Sequence, residues 1–168
     1  VLAAAVAWRS DGRLPALHLL RRVFETARDY AEARSLLERT PIAAPAIFTL
    51  VGVAAGETCV VERDTEAFTT REGVASAANV WRYGTFPGAW RGGRASEEAQ
   101  DSAERAAMIE SWAGRAGAPF EWVRPPILNA MTRLAVEADP ARGMLRAVGY
   151  EEASGEEDSA VPVTQVLD

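Results

Sequence analysis

Residues Tyr30 to Arg63, YAEARSLLERTPIAAPAIFTLVGVAAGETCVVER, decide the fold. Asp29 is a good N-cap, and Glu32 three residues later completes a capping-box-like start to a helix running through Arg39. Tyr30, Ala33 and Leu37 recur at helical spacing and mark its buried stripe. Pro41 and Pro45 end the helix, because the residue before each proline is pushed out of the helical region. Ala46 to Val53 is continuously apolar and reads as a strand buried on both faces. A short connection through Ala54 to Gly56 leads to a second strand, Glu57 to Arg63.

Working outward, Leu2 to Trp8 reads as an apolar strand, followed by an Asp-Gly turn and a helix opened by Pro15, where the missing N–H does no harm. Leu17, Leu20 and Phe24 give that helix an apolar face. Downstream, Ala67 to Arg71 is a weak third strand and Val74 to Arg82 a fourth carrying Asn79. Tyr83 to Arg94 is glycine-rich and reads as an irregular loop, its aromatics lining a pocket or covering the core. Ser96 caps a helix with an acidic first turn that runs to about Trp112, with Ala99, Ala103, Ala106, Ile109 and Trp112 inward. Ile127 to Ala138 alternates, with Leu128, Ala130, Thr132, Leu134 and Val136 on one face, and pairs with Met144 to Tyr150 through the Asp139 to Gly143 turn. This order describes an α+β layered domain over residues 1–150, followed by an acidic, flexible tail over 151–168.

Composition removes several chemistries. The 168 residues are 48% hydrophobic, enough for one ordinary core. All 18 basic residues are Arg, so Schiff-base lysines, phosphate-loop lysines and Ser-Lys dyads are excluded. One His and one Cys cannot build a zinc site of the usual ligands or an internal disulfide, and no cofactor is implied. Six of the 24 acids lie in the last 18 residues, which contain no Arg, so the remaining 18 balance the 18 Arg. A neutral body gives nucleic-acid binding no electrostatic support. No apolar run approaches the roughly 20 residues of a membrane helix. Val1 to Trp8 lacks the pattern of a secretory signal, which leaves the cytoplasm as the default location.

Taken in order, Ala27-Arg28-Asp29-Tyr30-Ala31-Glu32-Ala33, Leu36-Leu37, Thr40-Pro41-Ile42, Ala44-Pro45-Ala46-Ile47-Phe48 and Val51-Gly52 resemble the acid ceramidase and N-acylethanolamine acid amidase family. Ala78-Asn79 with Trp81, and Pro126-Ile127-Leu128-Asn129 with Thr132 and Gly143, are similar to later stretches of those enzymes. The resemblance implies the layered α/β/β/α fold of the N-terminal-nucleophile hydrolases, in the branch of bile-salt hydrolases and penicillin acyltransferases. It further implies cleavage of a linear N-acyl amide by an N-terminal Cys whose own α-amino group is the base. Asn79 matches the family's oxyanion donor, and Arg105 matches an Arg near the nucleophile, with Arg94 as the fallback.

The family's Cys, and the Arg and Asp that follow it, would lie upstream of Val1, so the chain is expected to be a C-terminal portion that is inactive alone. Its expected partners are an N-acyl amide substrate and either a segment carrying the nucleophile or a second copy. A non-catalytic binding module derived from the same fold is the alternative. Taken without the resemblance, Asn79 satisfies backbone groups near a strand end and Arg105 pairs with Asp101 or Glu104 on a helix surface. Cys59 reads as a small buried hydrophobe rather than a nucleophile, and His18 as structural or partly exposed. An unrelated enzyme using Cys59 and His18 is the weakest option.

Overall fold

The computed structural model describes residues 12–73, 76–78, 95–112, 118–154 and 159–167. The chain divides into two compact units, Val1–Gln100 and Asp101–Asp168. The expected strand at Leu2 to Trp8 and most of that at Val74 to Arg82 lie outside the described residues.

In the first unit, helix α1 (Ala16–Thr26) follows Pro15 and helix α2 (Tyr30–Arg39) follows Asp29. The Asp29 carboxylate accepts from the Glu32 backbone N–H at 2.8 Å, satisfying one of the donors a helix start leaves open. Glu32 turns back to accept from the Arg28 backbone N–H at 3.0 Å, so the box closes one residue earlier than its usual form. Strands β1 (Ala46–Val51), β2 (Thr58–Arg63) and β3 (Phe68–Glu72) form an antiparallel sheet in that order. The β1–β2 connection depends on Gly56 at φ +87° and on Gly52, where a Cβ would overlap the Glu57 side chain. In the β2–β3 turn, the Asp64 carboxylate accepts from the Glu66 and Ala67 N–H groups, both at 2.6 Å.

Leu19, Val23, Ala33, Leu37, Ile42, Phe48, Cys59 and Val61 form the core where both helices meet the sheet. Two sequence expectations change here. On α1 the buried positions are Leu19 and Val23, while Leu17 and Phe24 are 70% and 86% exposed. The apolar residues of α1 form one broad arc, with Leu17 and Phe24 at one edge and Leu19 toward the other, so the arc is wider than the face the core covers. Strand β1 lies at the edge of its sheet, with Phe48 its buried residue. The strand buried on both faces is the central one, β2: Cys59 and Val61 face the helices, and Val60 and Glu62, on the opposite face by the two-residue period, are also fully buried.

The second unit takes up the described part of helix α3 (Ala95–Trp112) beyond Gln100 and a sheet of β4 (Leu134–Asp139), β5 (Met144–Glu152) and β6 (Ala160–Pro162). Val123, Ala135, Val148, Tyr150 and Ala160 form its core, with Phe120, Trp122 and Leu128 packed against it. Strand β6 lies within the segment read as a tail, and it pairs with β5 through Tyr150 and Pro162. Farther on, the Gly149 N–H donates to the Thr164 hydroxyl at 2.9 Å.

The expected Ile127 to Ala138 strand begins at Leu134. Before it, Asn129 and Thr132 engage local backbone: the Met131 N–H donates to Asn129 Oδ1 at 2.9 Å, and the Thr132 hydroxyl donates to the Ile127 carbonyl at 3.1 Å. Such side chains offer the backbone an alternative to a ladder. The buried face of β4 is also the reverse of the expected one, since Ala135 is buried and Leu134 is 62% exposed. Glu137 explains this, because its carboxylate accepts from the Phe120 N–H at 2.7 Å and from Trp122 Nε1 at 2.9 Å, holding the 118–128 loop over that face. On α3, Ser102 is buried and Ala103 exposed, contrary to the expected alanine stripe.

Two leucines two residues apart test the core assignment. Leu19→Ala should cost about 2–5 kcal/mol, whereas Leu17→Ala should change stability by less than about 0.5 kcal/mol. Urea unfolding of the two variants, compared with the parent, reads the difference.

Candidate functional site

Asn79, the expected oxyanion donor, lies outside the described residues, as do Arg94 and the aromatics Trp81, Tyr83, Phe86 and Trp90. Ser76 and Ala78 place the chain just before Asn79, Ser76 being buried with its carbonyl accepting from Arg71 Nη2 at 2.7 Å. Arg105 sits on α3, where Nη1 pairs with the Asp101 carboxylate one turn back and Nη2 donates to the Ser102 hydroxyl at 2.9 Å. Its guanidinium is therefore fixed on the surface of its own helix by neighbours at the three- and four-residue spacings that face each other. Of the two expected residues only Arg105 lies among those described, and its contacts are those of a helix-surface ion pair.

Cys59 has no solvent exposure. Burial, and after it the adjacent Cys59 thiol, raises the proton affinity of the Tyr30 phenol. His18 is exposed on α1. A thiol sealed in the core gives an approaching substrate no line of attack, so Cys59 behaves as the packing residue its sequence context implies.

Sequence reading missed a charged framework on both faces of the first sheet. On the helix side, Arg34 Nε and the Thr70 hydroxyl both donate to Glu38 at 2.7 Å, and Arg34 Nη1 reaches Glu72 at 2.7 Å. Burial penalises the Glu38 charge, but the hydrogen bonds from Arg34 and Thr70 outweigh it and hold the carboxyl below its ordinary value. Nearby, Arg63 Nη1 donates to the carbonyls of Leu37 at 2.7 Å and Thr40 at 2.6 Å, at the C-terminal end of α2. Burial lowers the proton affinity of this guanidinium and the neighbouring Asp64 charge partly restores it, but an Arg so placed remains cationic. On the opposite face, Arg71 Nη2 lies 3.2 Å from the buried Glu62 carboxylate. The available signal was the alternation itself: Glu62 and Arg63 end the central strand, so both fall in packed layers. Among the described residues, no cluster of three or more His, Cys, Asp or Glu side chains could hold a metal ion, and no helix is long and apolar enough to cross a membrane.

Comparison with known proteins gives a local likeness. Acid ceramidase from Pan troglodytes and from Homo sapiens are each 50% identical to this chain over 46 residues, and that from Macaca fascicularis is 48% identical over the same length. The match covers 27% of this chain and 12% of each of those proteins. No protein-family model matches the chain. The chain is thus a distant relative of acid ceramidase through one short segment.

The Glu38 environment generates a pH prediction. A carboxyl whose folded value is depressed stabilises the fold above its unfolded value and loses that contribution as pH falls through the folded one. The melting temperature should therefore drop as pH falls below the ordinary carboxyl value of 4.5, and Glu38→Gln should flatten that part of the profile while lowering stability near neutrality. Calorimetric scans from neutral to acid pH measure both effects.

Proposed function

We propose that this chain is the C-terminal portion of a hydrolase that cleaves the linear carbon–nitrogen amide bond of an N-acyl substrate, with the α/β/β/α layering of N-terminal-nucleophile hydrolases. The likeness to acid ceramidase carries this reading. The burial of both faces of β2 supports it, since a sheet with helices on one side and further covering on the other suits an inner layer.

In the proposed reaction a thiolate attacks the amide carbonyl and forms a tetrahedral intermediate. The Asn79 side-chain N–H donates to the oxyanion, and Arg105, oriented by Asp101 and Ser102, is the proposed electrostatic organiser. Collapse of the intermediate expels the amine and leaves an acyl-enzyme, which water then hydrolyses. Cys59 is buried, so the attacking thiol must come from outside these 168 residues.

The test uses the full-length gene product with an N-acyl amide substrate. Asn79→Ala should lower kcat by about 10²–10³ while leaving the melting temperature in place. Turnover equal to that of the parent would remove Asn79 from the reaction. Absence of hydrolysis in the full-length parent across N-acyl amides would instead favour a non-catalytic module on the same fold.

A further inference from the structure

Below the C-terminal end of α2, the helix, the β2–β3 turn and the segment at Gly12 border a cleft of about 590 Å3. Its charged lining is Arg13, Arg39, Arg63, Glu38 and Glu66, with Phe68 beside them. Both of these carboxylates are already neutralised. Glu38 is held by Arg34 and Thr70, and Glu66 pairs with Arg13.

Two guanidinium groups of the lining form no ion pair among the described residues, although Arg63 feels the charge of Asp64 and Arg39 that of Glu38. Arg63 is 3% exposed, spends Nη1 on two backbone carbonyls, and keeps a buried Nε with no hydrogen-bond partner among the described residues. Arg39 is exposed in the last turn of α2 and makes no ion pair or side-chain hydrogen bond with the described residues. The nearby Asp64 carboxylate is occupied by the N–H groups of its own turn. The partial negative charge of the helix end favours cations here, but Arg63 already covers the Leu37 and Thr40 carbonyls. The lining therefore keeps an excess of positive charge next to a buried donor that lacks an acceptor, and such a donor is costly to leave unmet.

We propose that this cleft binds a small oxyanion, a carboxylate or a phosphate group, through Arg63 and Arg39. Guanidinium donors suit the oxygens of both groups, and Pro41 and Phe68 give the cleft an apolar side for the remainder of the ligand. The site is independent of the amide-hydrolase reading.

Isothermal titration of the whole chain at low ionic strength, with inorganic phosphate and separately with propionate, tests it. Saturable binding of either ion is expected, and the ion that binds identifies the class. Arg39→Gln should weaken that binding about tenfold, the usual worth of a charge-assisted hydrogen bond, with an unchanged melting temperature. Arg63→Gln should weaken it further, and because this change also removes a contact to α2, the exposed Arg39 variant decides the matter if the second variant unfolds. Failure of both ions to saturate, or parent-like affinity in Arg39→Gln, overturns the site.

Discussion

The first unit is organised by the contact between Arg63 and the end of α2. A helix leaves its last carbonyls without partners, and here one guanidinium nitrogen from the central strand satisfies two of that region's carbonyls, those of Leu37 and Thr40. The contact ties the final turn of α2 to the end of β2. With the helix end fixed, Leu37 meets Cys59 and Val61 in the core. The same register sets Glu38 against Thr70 and brings Arg34 to Glu72, so polar contacts fix the helix over two strands, β2 and β3. Hydrophobic burial supplies most of the stability, and the anchor selects which way the helix lies.

The two units solve the same problem by different means. In the first, ordinary helices cover the sheet. In the second, an irregular segment does so, held down where Glu137 receives the Phe120 and Trp122 donors. A carboxylate on the inner face of a strand would be costly without partners, and this one has two. Both sheets thus use a charged strand residue to seat what lies above them.

Much of this was legible in local sequence. Asp29, Pro15 and the Asp139 to Gly143 turn act through neighbours a few residues away, so the helix starts and the last hairpin could be placed directly. The inner faces of α1 and β4 were not legible. On α1, an apolar arc wider than the covered face leaves the choice of edge to tertiary packing, and on β4 the carboxylate of Glu137 is half-buried beneath donors 15 and 17 residues away. The ionic framework was hidden for the same reason: Arg34 to Glu72 spans 38 residues, and no local pattern announces it. Of the candidate site, both Asn79 and Arg105 stood out through family resemblance; helical spacing announced the Arg105 pair with Asp101, and the Ser102 contact was not foreseen.

The burial of Cys59 also makes the protein its own reporter. As the sole cysteine, in the middle of a central strand and wholly enclosed, its thiol meets solvent only when the sheet opens. Reaction with a thiol reagent would then be governed by how often that opening occurs, and its rate would read the opening free energy of the first unit without any added label. A chain with two or more cysteines would blur that signal, and one with an exposed cysteine would lose it.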